Sequence, residues 1–460
     1  MSIDRGAGTV RRAVSVPARR VLPRFAKDPV NALAELGREA GGEVVRLNLG
    51  PFRPYLVTHP EHVQQVLRAD WTNYRREGMF WRPLQRILGA SILGEGRPWE
   101  SSREILQPLF TARYVASIAE KMAETIAARV EELDDYARAG RPIDAAEEMA
   151  GIVNHAVISV LFGDKITRAD GERLAPAYDT AATSINFRLL MPFVPYSIRV
   201  PGDRAFMRAV KTVDDVVFPV IRRARANPDG GLDVISALCR AHGEDGGEIA
   251  DRQIRDDLVS VYGAASESTA MTLTWLWPLL DAHPEVAARL YDEIDHVVGA
   301  GPAVPAHIPE LRYTRMVLDE LLRLYPAGWI FPRMAMETGE IGGVRIKAGS
   351  QVLISPYATH RLEEFWDRPL EFDPERFAPE GDQRRHRYSY FPFGGGPHQC
   401  LGRHLFYVEA PLLVAAILSR FRPTVVGSGP FTPSPAASLR PRQKVELNIL
   451  SLQGVPGTAR

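Results

Sequence analysis

The chain has 460 residues, of which 45% are hydrophobic, 24% charged and 8% aromatic, so it can bury a sizeable core and is neither disordered nor fibrous. Its 56 basic and 56 acidic residues balance, which gives no reason to expect nucleic acid as a partner. A small-molecule ligand fits this composition better.

The first 27 residues are rich in arginine but contain no apolar stretch long enough for a secretory signal. We predict a flexible basic arm over residues 1–27 and a single domain over residues 28–460. Since no segment approaches the roughly 20 apolar residues that a membrane span needs, we predict no membrane span and a cytoplasmic protein. The two cysteines, Cys239 and Cys400, form no disulfide framework and suit a reducing compartment.

Hydrophobic spacing predicts a helix over residues 28–40 and a mostly helical body over 60–300, with breaks at 192–201 and 227–231. The last third of the chain changes to short strands and turns, and a helix resumes after Cys400. The predicted strands are 44–49, 53–58, 343–346, 351–354 and 445–450. Because the sequence has no internal repeat and no long linker, we predict a mainly α fold with small β-sheets.

A glycine-rich loop precedes Cys400, and an apolar helix follows it directly. Backbone N–H groups and the positive end of that helix favour the thiolate form of the cysteine, which is the form that binds metal. Gly394, Gly395, Gly396 and Gly402 remove side chains where the backbone approaches a flat cofactor closely. The simpler interpretation, which fits most cysteines, is a buried free thiol in a glycine turn.

The pattern Phe393-Gly-x-Gly-x-His398-x-Cys400-x-Gly402 resembles the cysteine-loop signature of the cytochrome P450 family. The resemblance implies that Cys400 ligates the iron of haem b and that the haem lies between a long central helix and the cysteine-loop helix. It also implies that Phe393, Gly394, His398 and Gly402 contact the cofactor.

A second motif, Glu320-x-x-Arg323, lies on one face of a predicted helix. By itself this spacing is typical of an ordinary ion pair within a helix. Together with Arg376 in a Pro-Glu-Arg-Phe segment, the motif resembles the Glu-Arg-Arg core triad of the same family. The resemblance implies a structural role, in which Arg376 joins the region before the cysteine loop to the helix.

Haem carries two propionates, which call for cations or hydrogen-bond donors at the rim of the cofactor. By resemblance, four residues take this role: Trp99, Arg103, Arg333 and His398. Each of them taken singly is more typical of a surface or capping position.

The predicted helix over residues 254–281 is about 40 Å long at 1.5 Å per residue and resembles the family's long central helix over the haem. Its segment 263–269 aligns with the part of that helix that opens a kink for dioxygen. Ala264 is then expected to contact the haem. The sequence departs from the family pattern at Ala265, which replaces a glycine, and at Ser268, which replaces a threonine.

Activation of dioxygen needs a hydroxyl group and a titratable neighbour, and Glu267, Ser268 and Thr269 are the candidate catalytic residues. The serine is less restricted in rotamer than a β-branched threonine, so its hydroxyl is less tightly aimed. The alternative is that Ser268 and Thr269 only bond back to helix carbonyls.

Family topology places mostly apolar and aromatic residues around the substrate, although such residues are ordinarily core. The candidate substrate contacts are Phe80, Trp81, Phe187, Gly263, Trp329 and Ile330. A basic run over residues 384–387 lies on the side where the family meets its electron donor, and a solvated charge run explains it equally well.

The resemblance predicts a monomeric monooxygenase that uses dioxygen and electrons from a separate ferredoxin and NAD(P)H-dependent reductase. Its expected substrate is a hydrophobic small molecule, a terpenoid or polyketide of specialised metabolism. One alternative is a peroxide-driven peroxygenase or a ring-forming oxidase, which the altered Ala265 and Ser268 segment suggests. Another is a noncatalytic haem-binding protein, for which the cysteine loop alone suffices.

Overall fold

The computed structural model describes residues 11–184, 187–188, 194–227, 231–241, 247–379, 385–427 and 429–452. The chain separates into two compact units. The first comprises Met1–Gly78, Glu320–Cys400 and Pro433–Arg440, and the second comprises Met79–Asp319, Leu401–Thr432 and Pro441–Arg460. The single domain expected from the sequence stays a prediction.

Helices make up most of the described chain. In chain order they are α1 (Ala18–Lys27), α2 (Pro29–Glu39), α3 (Pro60–Gln64), α4 (Arg82–Leu88), α5 (Arg97–Leu106), α6 (Ala112–Glu131), α7 (Leu133–Ala139), α8 (Ala145–Phe162), α9 (Arg168–Ser184), α10 (Asp203–Ala226), α11 (Val234–Arg240), α12 (Asp251–Ala282), α13 (Pro284–Val297), α14 (Arg312–Leu324), α15 (Pro356–Thr359) and α16 (Arg403–Leu418). Short 3-10 turns span Gln107–Phe110, Pro305–His307, Pro374–Phe377, Arg387–Ser389 and Gly396–His398, and a π turn spans Gln65–Ala69.

The strands are short. They are β1 (Val14–Val16), β2 (Val45–Leu47), β3 (Tyr55–Val57), β4 (Tyr74–Arg75), β5 (Ile143–Asp144), β6 (Phe331–Ala335), β7 (Gly339–Ile341), β8 (Val344–Ile346), β9 (Gln351–Ile354), β10 (Phe421–Val425), β11 (Pro433–Ser434), β12 (Arg440–Pro441) and β13 (Glu446–Ser451). This composition confirms the predicted fold class, mainly α with small sheets. The strands predicted from alternation all appear, most of them shorter than predicted by one to three residues.

A six-stranded sheet of order β1-β2-β3-β9-β6-β4 organises the first unit. Strand β3 pairs in parallel with β9, so that Tyr55 lies beside Val352. Successive side chains of a strand point to opposite faces. Tyr55 and Val57 therefore pack into one apolar cluster, whereas Leu56 packs into a second cluster with Leu33 of α2. The sheet thus has a core on each face.

Residues 14–27 form ordered structure, which corrects the prediction of a flexible basic arm for this segment. Strand β1 pairs in parallel with β2, and Val21 of α1 is fully buried in the core of the first unit. Arg20 and Arg24 both form ion pairs with Glu39, at 2.7 and 2.8 Å. The segment folds because strand pairing and the burial of Val21 fix it and because its arginines find an acidic partner.

The second unit is built around α12, whose 32 residues span about 48 Å. This helix packs against α8, α10 and α4. Near its start, the Asp257 carboxylate accepts hydrogen bonds from the backbone N–H of Ile92 and the hydroxyl of Ser102, at 3.0 and 2.9 Å. A small antiparallel sheet of order β10-β13-β5 also belongs to this unit.

The two predicted helix breaks, 192–201 and 227–231, lie partly within the described chain. Residues 194–201 and residues 227 and 231 are non-helical, as predicted, and the remaining residues of these two breaks, 192–193 and 228–230, lie outside the described part of the chain.

Two segments, Ala145–Phe162 and Gly396–Leu418, have the length and apolarity of a membrane-spanning helix. Within the fold, 50% and 67% of the most apolar 18 residues of each segment are buried, as expected of core helices that pass the same test. They are weak evidence for a membrane span.

Candidate functional site

The cysteine loop ends the segment Glu320–Cys400 of the first unit. The backbone N–H of Cys400 donates to the carbonyl oxygen of Phe393 at 2.9 Å, and that of Gly394 donates to Phe391 at the same distance. These bonds fold the loop into tight turns that leave Cys400 exposed while Phe393 and His398 are half-buried. Cys400 thus lies at an exposed position of a loop that backbone hydrogen bonds hold together.

Packing of the protein on itself explains two glycines of this loop. Gly396 has a φ of +67°, and a Cβ at this position would lie 1.8 Å from the backbone oxygen of Leu67. At Gly395 a Cβ would lie 2.5 Å from the ring of Tyr388. The packing of the protein is therefore sufficient to require glycine at these two positions, and close approach to a cofactor stays a prediction for all four glycines. Gly402 lies immediately before α16 with an ordinary φ of −72°.

The structure brings Glu320, Arg323 and Arg376 together in the first unit. Arg323 and Glu320 are fully buried and form two hydrogen bonds, of 2.6 and 2.7 Å. The Nε atom of Arg376 lies 3.3 Å from the Glu320 carboxylate. The remaining donors of Arg323 reach the carbonyl oxygens of His360, Pro369 and Glu371. A carboxylate and two guanidinium groups therefore tie α14 to the segment before the cysteine loop.

His360 extends this network to the cysteine loop, a role that the sequence analysis did not find. Its Nε2 accepts from the backbone N–H of Phe391 at 3.0 Å, so its Nδ1 carries the proton and donates to the carbonyl oxygen of Arg323 at 3.1 Å. Complete burial lowers the pKa of His360 to about 3 and keeps the ring neutral. The imidazole thus links α14 to the residue that begins the loop.

The four expected propionate-binding residues divide between the units. In the first unit, Arg333 is buried and donates to the carbonyl oxygen of Pro332 at 2.9 Å, and the His398 ring meets the edge of Trp71 with centroids 5.4 Å apart. In the second unit, Trp99 is buried on α5 and Arg103 donates to the side chain of Gln107 at 3.0 Å. Their common role stays a prediction.

Helix α12 runs without interruption through residues 263–269, so the expected kink does not appear as a break in the helix. Alanine at position 265 favours the regular helix where the family has a glycine. The Ser268 hydroxyl donates to the carbonyl oxygen of Ala264 at 2.7 Å, which is the back-bonding alternative considered for this residue. Thr269 is buried and Glu267 is half-buried.

Glu409 on α16 is a buried acid that the sequence analysis missed. The residue is 1% exposed, and neither of its carboxyl oxygens makes a hydrogen bond of normal geometry within the described residues. Burial raises the pKa of Glu409 to about 8, although the neighbouring Thr269 side chain by itself lowers this pKa. At neutral pH the group is largely protonated and lies beside a hydroxyl of α12. A single acid within the apolar run 405–418 was the available sequence signal.

The candidate substrate contacts have different environments. Phe80 and Trp81 are half-buried, and Phe187 is 36% exposed. Trp329 belongs to an apolar core cluster of the first unit, against which Ile330 packs, and its indole N–H donates to Ala436 at 3.0 Å. This position favours a packing role for Trp329 over the predicted contact with substrate.

Gly263 faces a tyrosine of the second unit. A Cβ at Gly263 would lie 1.6 Å from the hydroxyl oxygen of Tyr178 on α9. Tyr178 could not be predicted as a site residue, because nothing local in the sequence marks a tyrosine of α9 as a neighbour of α12.

Comparison with known proteins decides the family. The sequence model of cytochrome P450 matches residues 20–449. The chain belongs to the cytochrome P450 family. A crystal structure of a cytochrome P450DA heme domain superposes with a TM-score of 0.86 at 23% identity, covering 96% of this chain and 98% of the other, which supports the fold.

Several bacterial proteins resemble this cytochrome P450 over most of their length. Cyclooctatin synthase of Streptomyces melanosporofaciens is 34% identical over 443 residues, which cover 94% of this chain and 92% of the relative. Pentalenene oxygenase of Streptomyces avermitilis is 30% identical over 447 residues, covering 96% and 97%. Cyclooctat-9-en-7-ol 5-monooxygenase of Streptomyces melanosporofaciens is 33% identical over 397 residues, covering 86% and 85%. This cytochrome P450 is a haem-dependent monooxygenase.

The residues present suit a haem. The exposed sulfur of Cys400 supplies a soft ligand for iron, and Arg333, a buried cation in the same unit, suits a propionate. When bound, haem would supply the chemistry of dioxygen, and Cys400 and Arg333 are residues that would hold it.

Proposed function

We propose that this cytochrome P450 oxidises a hydrophobic terpenoid in specialised-metabolite biosynthesis. The observation that carries the proposal is the similarity, at 30–34% identity, to bacterial enzymes named for cyclooctatin and pentalenene. The apolar character of Phe80, Trp81 and Ile330 supports a hydrophobic ligand. Phe187 and Gly263 complete the proposed set of substrate contacts.

Cys400 is the proposed iron ligand, because it is an exposed thiol in a loop held by backbone hydrogen bonds. The proposed haem contacts are Trp99, Arg103, Ala264, Arg333, Phe393, Gly394, His398 and Gly402. The Glu320, Arg323 and Arg376 network has a structural role in this proposal, since buried ion pairs of this kind fix geometry.

Protons for the reaction are held by the residues of α12 and α16 in this proposal. Protonated Glu409 stores a proton beside the Thr269 hydroxyl, which passes it on, and Glu267 supplies a second titratable group. The Ser268 hydroxyl donates its hydrogen to the carbonyl oxygen of Ala264. The hydroxyl can therefore accept a further hydrogen bond through its lone pairs, but its own proton is already engaged. Thr269 is therefore the stronger candidate for proton transfer.

The electrons are expected from a separate ferredoxin and an NAD(P)H-dependent reductase, with this protein acting as a monomer in the cytoplasm. Of the basic run before the cysteine loop, Arg384 lies outside the described residues. Arg385 donates to the carbonyl oxygen of Arg376 at 2.7 Å and stacks over Trp366, whereas Arg387 is exposed. Arg387 is accordingly the better candidate for contact with an acidic ferredoxin.

The first test is the carbon monoxide difference spectrum of the dithionite-reduced wild type and of Cys400→Ala. We expect a band at about 450 nm in the wild type only, as thiolate ligation requires. Wild type without this band, in freshly prepared protein, contradicts the ligand assignment.

The second test is product formation from a terpenoid panel with surrogate ferredoxin, reductase and NADPH. Product under these conditions supports the monooxygenase, whereas product with hydrogen peroxide alone and none with the reductase supports the peroxygenase. The peroxygenase is the second candidate because Ser268 is tied to the helix backbone. Haem binding without any product supports a noncatalytic protein.

A further inference from the structure

Tyr178 of α9 rests directly on α12 at Gly263. A Cβ at position 263 would lie 1.6 Å from the Tyr178 hydroxyl oxygen, so only glycine admits the phenol at this place. The ring of Tyr178 also meets the ring of Tyr262 edge-on, with centroids 5.4 Å apart and planes at 81°. These two contacts hold the ring of Tyr178 in place and so determine the position of its hydroxyl group.

The hydroxyl groups of the two tyrosines differ in their partners. The Tyr262 hydroxyl donates to the side-chain oxygen of Asn154 at 3.3 Å. The Tyr178 hydroxyl makes no hydrogen bond with any residue in the described parts of the chain, and the residue stays partly accessible. Because this donor has no protein partner among the described residues and is not closed off from solvent, an oxygen atom of a ligand can take the place of water beside it.

The surroundings of Tyr178 keep its hydroxyl in the donor form. Desolvation, the first cause, and the charge of Glu267 both raise the pKa of Tyr178 well above its ordinary value. Gly263 and Glu267 are one turn apart and share a face of α12. The Tyr178 hydroxyl therefore borders the same helix face as the proposed catalytic acid and the proposed substrate contact.

We propose that the Tyr178 hydroxyl determines specificity by hydrogen-bonding an oxygen atom that the substrate already carries. The inference rests on the proposed function and narrows the substrate class from terpenoids in general to oxygenated terpenoids, such as alcohols or ketones. A hydrocarbon leaves the hydroxyl unpaired, so the site discriminates against it. An earlier oxygenation, or a cyclisation that ends in the capture of water, must then supply the substrate.

The test measures binding of matched terpenoid pairs to the haem-loaded protein by calorimetry and by the spectral shift on binding. The panel contains sesquiterpene and diterpene alcohols, each beside its deoxy hydrocarbon, with cedrol and cedrane as one pair. Wild type should prefer the alcohol of a pair by about tenfold, and Tyr178→Phe should remove that preference while changing the affinity for the hydrocarbon by less than about twofold. Tyr262→Phe is the matched control, since it removes a neighbouring hydroxyl that already has a protein partner, and it should keep the preference.

Two results overturn the inference. One is equal affinity of the wild type for the alcohol and the hydrocarbon of every pair, and the other is a preference that survives in Tyr178→Phe. Failure of the proposed function gives a different result. In that case no member of the panel is converted to product, although the carbon monoxide spectrum of the protein is normal. Product formation without a Tyr178-dependent preference leaves the proposed function standing and removes only the role of Tyr178.

Discussion

Glu409 of α16 lies beside Thr269 of α12, and both side chains are buried in the second unit. A carboxyl group in this position costs much less free energy when it is protonated than when it is charged. The pair therefore places a removable proton next to a hydroxyl in the interior of the protein. Its two members are 140 residues apart in the sequence, Thr269 on the long central helix and Glu409 on the helix that follows Cys400.

The titration of Glu409 should make stability depend on pH. Burial raises its folded-state pKa from 4.5 to about 8, so the folded protein holds this proton while the unfolded chain has lost it. The free energy of unfolding should therefore fall as pH rises from 4.5 to about 8, by on the order of 5 kcal/mol, and level off above pH 8. Urea unfolding of the wild type and of Glu409→Gln at pH 5, 7 and 9 measures this, and equal pH slopes in the two proteins contradict it.

Glu320→Gln should destabilise the first unit. The neutral amide leaves the buried guanidinium of Arg323 without an anionic partner, which costs on the order of 3 kcal/mol in the free energy of unfolding. Glu371→Gln is the control, because its carboxylate forms an exposed ion pair with Arg368 and should change stability by less than about 0.5 kcal/mol. Denaturant unfolding compares the two variants, and similar losses in both exclude a special role for the buried network.

Gly396→Ala should disturb the cysteine loop. Its methyl group would lie 1.8 Å from the backbone oxygen of Leu67, so the loop must move in addition to adopting a strained φ. Gly349→Ala shares a positive φ but meets no atom within 4 Å, and should cost only about 1 kcal/mol. We expect the carbon monoxide band at about 450 nm to be lost or shifted only in Gly396→Ala. Two normal spectra contradict the packing argument.

Thr269→Val should reduce the product formed per NADPH by at least about tenfold, because it removes the hydroxyl beside Glu409 while keeping the shape of the side chain. Ser268→Ala should change this ratio by less than about twofold, since its hydroxyl is bonded to the helix backbone. Both variants are assayed with a terpenoid that the wild type converts, and their haem content is measured first. A larger effect of Ser268→Ala reverses the assignment.

Motifs that are local in the sequence predicted much of this protein correctly. The cysteine loop, the Glu320-x-x-Arg323 spacing and the length of α12 were sufficient for the fold class and the family, because each depends on residues close together in the chain. Five of the strands, β2, β3, β8, β9 and β13, also followed from alternation alone. Residues 14–27 were mispredicted, since their order depends on β2 and on Glu39, which lie later in the chain.

The sequence by itself determined the family, the candidate iron ligand, the long central helix and five of the strands. Only the tertiary structure decided that His360 links Arg323 to Phe391, that Leu67 requires glycine at position 396, and that Glu409 and Tyr178 lie against α12. The physical reason is that desolvation, steric exclusion and hydrogen-bond partners depend on atoms from distant parts of the chain. A glutamate in an apolar helix becomes a proton store only where the fold buries it.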